Sequence, residues 1–269
     1  MKFLTLSILL IVTCSLQTEC HYVPINTSSQ VNVGSITAFP SYTRDSVNEF
    51  GDYLRALPLK PLNATVHCYD GSIKANKVHY RVVDVDVGYR DLQQCADAVM
   101  RLRAEFLYRH KRYKEIHFNF TNGFKCSYSE WMKGKRIKVE GNEVTWVQRS
   151  SASNTYRDFR KYMDVVFSYA GTLSLSKELV SVDISTITIG DVFIQGGSPG
   201  HAVIVLDVVS NDVGAKMIML AQSYMPAQDI HILKSTNGTT SPWYTIPSNG
   251  TLETPEWVFS TTDLKRFKK

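Results

Sequence analysis

A run of five residues, Ala202-Val203-Ile204-Val205-Leu206, most constrains how this 269-residue chain folds. It is apolar, rich in β-branched side chains and free of polar alternation, so it reads as a strand buried on both faces. Ahead of it stand a second apolar segment, Thr188-Ile189-Gly190-Asp191-Val192-Phe193-Ile194-Gln195, and the turn sequence Gly196-Gly197-Ser198-Pro199-Gly200. The two runs are expected to pair through that turn, with His201 where the second strand begins. An imidazole at a strand mouth packs on one side and reaches solvent on the other, which suits both a structural histidine and a catalytic one.

Composition sets the frame around this hairpin. Hydrophobic residues make up 43% of the chain and aromatics 11%, enough for one domain with a sizeable core. The net charge of +5 is spread widely. Its densest stretch, Arg109-His110-Lys111-Arg112, ends a helical pattern, so nucleic acid is not an expected partner. Residues 1–20 combine Lys2 with an apolar stretch through Val12 and read as an export signal. Cys14, and less well Cys20, is placed where a lipid could be attached, so a membrane is expected only through such an anchor. The periplasm or cell envelope is the expected location. Residues 21–36 read as a polar, mobile lead-in and residues 37–269 as one globular domain. Asn-x-Ser/Thr sequons begin at Asn26, Asn63, Asn119, Asn237 and Asn249.

Within the domain, Arg44 to Leu57 has a helical rhythm and His79 to Val87 alternates like a strand, with Asp84 and Asp86 on one face. Two carboxylates without a third ligand make a poor metal site, and no metal or cofactor is expected. Asp91 to Leu107 is the clearest helix, with Asp91 as N-cap and Gln94 completing a capping box. Its inner stripe is Leu92, Cys95, Val99, Leu102 and Phe106. Cys95 then lies early in the helix, where backbone N–H groups and the dipole favour a thiolate, although a small core residue fits the same place.

Further strands are expected at Ile116–Thr121, Val144–Val147 and Met217–Ser223, with a helix from Tyr156 to Leu175. Cys126 falls in a polar loop between them, a second candidate nucleophile or a disulfide partner for Cys68. Pairing of Met217–Ser223 with the His201 strand would bring Gln222 beside the imidazole, with Ser223 and Asp207 as alternatives for that role. His231, on the alternating run Asp229 to Leu233, is a further candidate partner, although a solvent-facing strand position is the expected one.

A cysteine early in a helix, a strand that begins at histidine and a polar residue on the next strand resemble the order found in papain-like proteins of the NlpC type. Gly190-Asp191-Val192-Phe193-Ile194 and Gly200-His201-Ala202-Val203-Ile204-Val205-Leu206 carry that likeness. From about residue 35 to residue 267 the chain resembles a family of exported bacterial proteins of unknown function, domain of unknown function 4846. Asp91 to Glu105, the Gly-His strand and Ala221 to His231 carry this second likeness.

The NlpC-type resemblance implies an α+β fold, a central helix packed on an antiparallel sheet, in a single domain with insertions. It also implies a cysteine amidase or peptidase acting on peptidoglycan peptides. Cys95 would attack, His201 would move the proton and Gln222 would orient the imidazole. Cys95 and His201 lie 201 − 95 = 106 positions apart, so an insertion stands between them, and Ala96-Asp97 replaces the usual Ser-Gly after the nucleophile. A non-catalytic envelope protein that binds cell-wall glycan or peptide, stacking it on Trp131, Trp243, Tyr244 and Trp257, is the alternative.

Overall fold

The apolar run does become the central strand. In the computed structural model, which describes residues 31–236, 241–247 and 250–268, His201–Ser210 is a ten-residue strand with its first nine residues buried. Ala202, Ile204, Leu206 and Val209 face one hydrophobic cluster, and Val203, Val205 and Val208 face another. Burial of each such side chain contributes about 1.5–3 kcal/mol, against a whole-domain stability of about 5–15 kcal/mol. Neither face can therefore be given up to solvent.

In chain order, the first half contains β1 (Thr43–Arg44), α1 (Glu49–Arg55), β2 (His79–Val82) and α2 (Cys95–Arg109). Then follow β3 (His117–Asn119), β4 (Lys125–Ser127), α3 (Tyr128–Met132), β5 (Lys135–Glu140), β6 (Glu143–Gln148), α4 (Tyr156–Tyr169) and α5 (Thr172–Glu178). The second half is nearly all strand: β7 (Val180–Ser181), β8 (Val192–Gln195), β9 (His201–Ser210), β10 (Lys216–Gln222), β11 (His231–Leu233) and β12 (Trp243–Thr245). It closes with β13 (Thr251–Glu253), β14 (Val258–Ser260) and β15 (Leu264–Arg266).

The main sheet runs β2-β11-β10-β9-β8-β15-β7, with β1 added to β9 and β12 added to β10, and its pairings are antiparallel. This is an α+β architecture with a large antiparallel sheet. The helices share the larger cluster, and Phe193, Leu252, Phe259 and Leu264 form the smaller one on the opposite face. The expected hairpin is β8–β9, in the register Gln195↔His201 and Val192↔Ile204.

Several elements differ from the pattern in the sequence. Asn32 caps a 3-10 turn over Val33–Ser35, and Val33 is fully buried, so the folded body takes in the end of the expected lead-in. The expected export signal, Cys14, Cys20, Asn26, Asn237 and Asn249 lie outside the described residues. Among the described residues, no helix is long and apolar enough to cross a membrane. α2 begins at Cys95 rather than near Asp91, because the Asp91 carboxylate is committed elsewhere. Its Oδ1 accepts from the Ala227 N–H at 2.7 Å and from Gln94 Nε2 at 3.1 Å. The helix expected through Leu175 breaks at Ala170-Gly171 into α4 and α5.

Candidate functional site

Gln94 becomes the N-cap of α2, its backbone N–H donating to Asp97 Oδ2 at 3.1 Å, and this places Cys95 at the first position of a fifteen-residue helix. The helix is anchored from below by Arg101, which is completely buried. Its guanidinium donates to Glu105 at 2.6 Å, Gln93 at 3.0 Å and Asp86 at 3.2 Å. Asp86 also takes Arg160 at 2.8 Å, so its carboxylate serves as an arginine partner, and both Asp84 and Asp86 are exposed. Held in this way, α2 packs on β9, with Cys95 against the backbone of Ala202.

Cys95 and His201 line one groove of about 300 Å³, together with Leu92, Phe167, Thr172, Pro199, Tyr224 and Trp257. The β8–β9 loop forms one wall and is clamped to α5. Thr172 Oγ1 donates to the Gly197 carbonyl at 3.1 Å and accepts from the Gly197 N–H at 3.3 Å. The imidazole packs among Tyr224, Trp257 and Phe259, with ring centroids 5.0, 5.3 and 6.0 Å away. Gln222 Oε1 lies 2.8 Å from His201 Nε2. The expected alternatives are engaged elsewhere. Ser223 Oγ bonds the carbonyls of Gln93 and Gln228, and the buried Asp207 carboxylate takes Arg44 and Arg55, each at 2.7 Å.

The electrostatics differ from those expected at a helix start. Burial, reinforced by Asp97 once that group is ionised, pushes the Cys95 thiol up to about 11. The backbone N–H groups of Ala202, Ala96 and Cys95 act in the opposite sense and are outweighed. Burial also pushes the His201 imidazole below the usual histidine range, although the Gln222 bond and the Glu256 charge oppose it. At neutral pH the groove is therefore lined by a neutral thiol and a neutral imidazole. Desolvation disfavours charge on both groups, and this overrides the dipole.

Other sequence expectations meet the same constraint of burial. Cys126 is on β4 with no exposed surface, and its thiol is pushed up to about 12, so it is a core residue and not a loop nucleophile. Cys68, Cys95 and Cys126 are all free and buried. Trp131, Trp243 and Tyr244 are 4%, 2% and 3% exposed, which leaves Trp257 as the one of the four expected stacking residues that lines the groove. His231 does not face solvent. It is fully buried on β11, pushed down to about 4 by that burial, and its Nε2 lies 3.4 Å from Gln222 Nε2. Glu256 and Lys74 were not among the expected site residues, yet Gln222 Nε2 donates to Glu256 at 2.7 Å and Lys74 Nζ to the same carboxylate at 2.7 Å.

The fold and groove together define an α+β protein with a large antiparallel sheet and a cysteine, a histidine and a glutamine gathered at the head of its central strand. The chain belongs to the family described as Domain of unknown function (4846), whose model matches residues 33–266. No curated protein and no solved structure matches it.

Proposed function

We propose that this chain is a cysteine-dependent amide hydrolase of papain-like, NlpC-type design, acting on peptide amides of the cell envelope after export. The observation that carries the reading is the alignment of three parts. A cysteine at the first position of a helix shares a groove with a histidine, and a glutamine holds the histidine's far nitrogen. Those are the parts that nucleophilic acyl transfer needs: a nucleophile, a base within the same cleft and a group that orients the base.

The neutral resting pair supports general-base activation in place of a standing ion pair. As the Cys95 sulfur bonds to the acyl carbon, its proton passes to His201 Nδ1, and N–H groups at the start of α2 receive the developing oxyanion. Collapse breaks the C–N bond, and His201 returns the proton to the departing amine, leaving an acyl thioester. Water then adds to the thioester with its proton taken by His201. The acid departs and the Cys95 thiol is restored.

A second reading is favoured by the raised thiol and by the apolar wall of Leu92, Phe167 and Trp257. In it the groove binds an envelope peptide or glycan without cleaving it. Incubation of the purified chain with peptidoglycan stem peptides, followed by mass spectrometry, separates the two. The hydrolase reading predicts new amine and carboxyl ends, reduced by more than about 1,000-fold in Cys95→Ala. Retention of intact peptide by both proteins, with no cleavage by either, favours the binding module.

A further inference from the structure

We propose that Glu256, held in place by Lys74, is the positioning residue that sets the Gln222 amide and through it the tautomer of His201. The inference rests on the hydrolase reading only for its effect on rate. Glu256 and Lys74 make an ion pair at 2.7 Å with both side chains 7% exposed. Burial alone would raise the Glu256 carboxyl, but Lys74, Asn76 and Gln222 outweigh it and hold the group below the usual glutamate range. It is therefore a carboxylate, and a carboxylate only accepts hydrogen bonds.

From that one fact the proton positions follow in sequence. The Gln222 atom 2.7 Å from Glu256 must be the NH2 nitrogen, so Gln222 Oε1 faces His201. An amide oxygen also only accepts, so His201 Nε2 carries the hydrogen and Nδ1 keeps its lone pair. His231 closes the array. Its Nδ1 donates to the Asp229 carbonyl at 2.9 Å, leaving its Nε2 to accept the second Gln222 N–H at 3.4 Å. Each side-chain N–H of His201, Gln222 and His231 then meets an acceptor. A flipped amide would set Gln222 Oε1 against the Glu256 carboxylate and its NH2 against His201, the arrangement that makes the wrong nitrogen the base.

The tautomer is read by 1H–15N correlation of histidine-labelled protein at pH 8, above the depressed His201 value, with His201→Ala assigning the signal. Wild type is expected to show His201 protonated at Nε2 alone. Glu256→Ala is expected to add an Nδ1-protonated population and slow Cys95 alkylation about tenfold. If that variant leaves Lys74 unpaired and fails to fold, Glu256→Leu combined with Lys74→Met removes both charges and is read the same way. A wild-type signal protonated at Nδ1, or a signal still confined to Nε2 in the folded variants, overturns the proposal. A tautomer shift in a protein that cleaves nothing upholds the positioning role and removes the hydrolase reading.

Discussion

Asp97 stands two residues beyond Cys95 and shows how burial governs the chemistry of this helix. It is 6% exposed, and although its Oδ2 caps the Gln94 N–H, its Oδ1 has no partner. Burial pushes its carboxyl well above the usual range. Below about pH 4 the folded and unfolded chains both hold this proton, and the group costs nothing. As pH rises further the unfolded chain ionises while the folded chain does not, and stability falls by about 1.36 kcal/mol per unit until the folded group titrates. Asp97→Asn keeps the capping oxygen and cannot titrate. Urea unfolding is expected to show it equal to wild type near pH 4 and more stable at pH 7 by about 1 kcal/mol or more. A difference that does not change with pH would show that Asp97 is ionised in the folded chain.

The β8–β9 loop is the element that delivers His201, and Gly200, the residue before it, is hemmed in by backbone and by the α5 clamp. A Cβ there would lie 2.5 Å from the Gly197 carbonyl oxygen and 2.6 Å from Thr172 Oγ1, inside contact distance of both. Gly200→Ala must therefore shift either the loop or its α5 clamp. The expected stability cost is about 1–3 kcal/mol. Cys95 reactivity should fall on the order of 10- to 100-fold in protein that remains folded, because small displacements are expensive in proton transfer. Reactivity equal to wild type would place the imidazole outside the reaction. The hairpin itself was legible in the sequence because turn residues flank unbroken apolar runs. That Cys95 and His201 would share a groove, with Gln222 against the imidazole, was legible from their residue types and order along the chain. Cys126, Trp131 and His231 misled, since a polar-looking loop sequence or an alternating run does not reveal burial imposed by a distant layer. Glu256 could not be found at all. It lies 34 positions from Gln222 and 182 from Lys74, and only the folded chain brings the three together.

At the scale of the whole molecule the groove is a seam between four stretches of chain, one of them the α4–α5 junction that brings Phe167 and Thr172. The start of α2 supplies the thiol, β8 to β10 supply the imidazole and amide, and the segment after Gly250 supplies Glu256 and Trp257. That last segment is also structural. Its β15 sits between β8 and β7, and Arg266 pairs at 2.6 Å with the fully buried Asp191. The thiol and imidazole are each desolvated to neutrality by this assembly, and the proposed hydrolase requires that they nevertheless act as one acid–base pair. The direct test is the pH dependence of Cys95 alkylation by iodoacetamide, read peptide by peptide so that Cys68 and Cys126 do not contribute. In wild type the proton passes within the pair, so the rate is expected to be nearly level between about pH 7 and 9, rising only as the thiol's own ionisation near 11 approaches. In His201→Ala no base is present, and the rate should climb about tenfold per pH unit over the same range. A wild-type rate that climbs in parallel with the variant would make Cys95 an isolated core thiol and rule out the hydrolase.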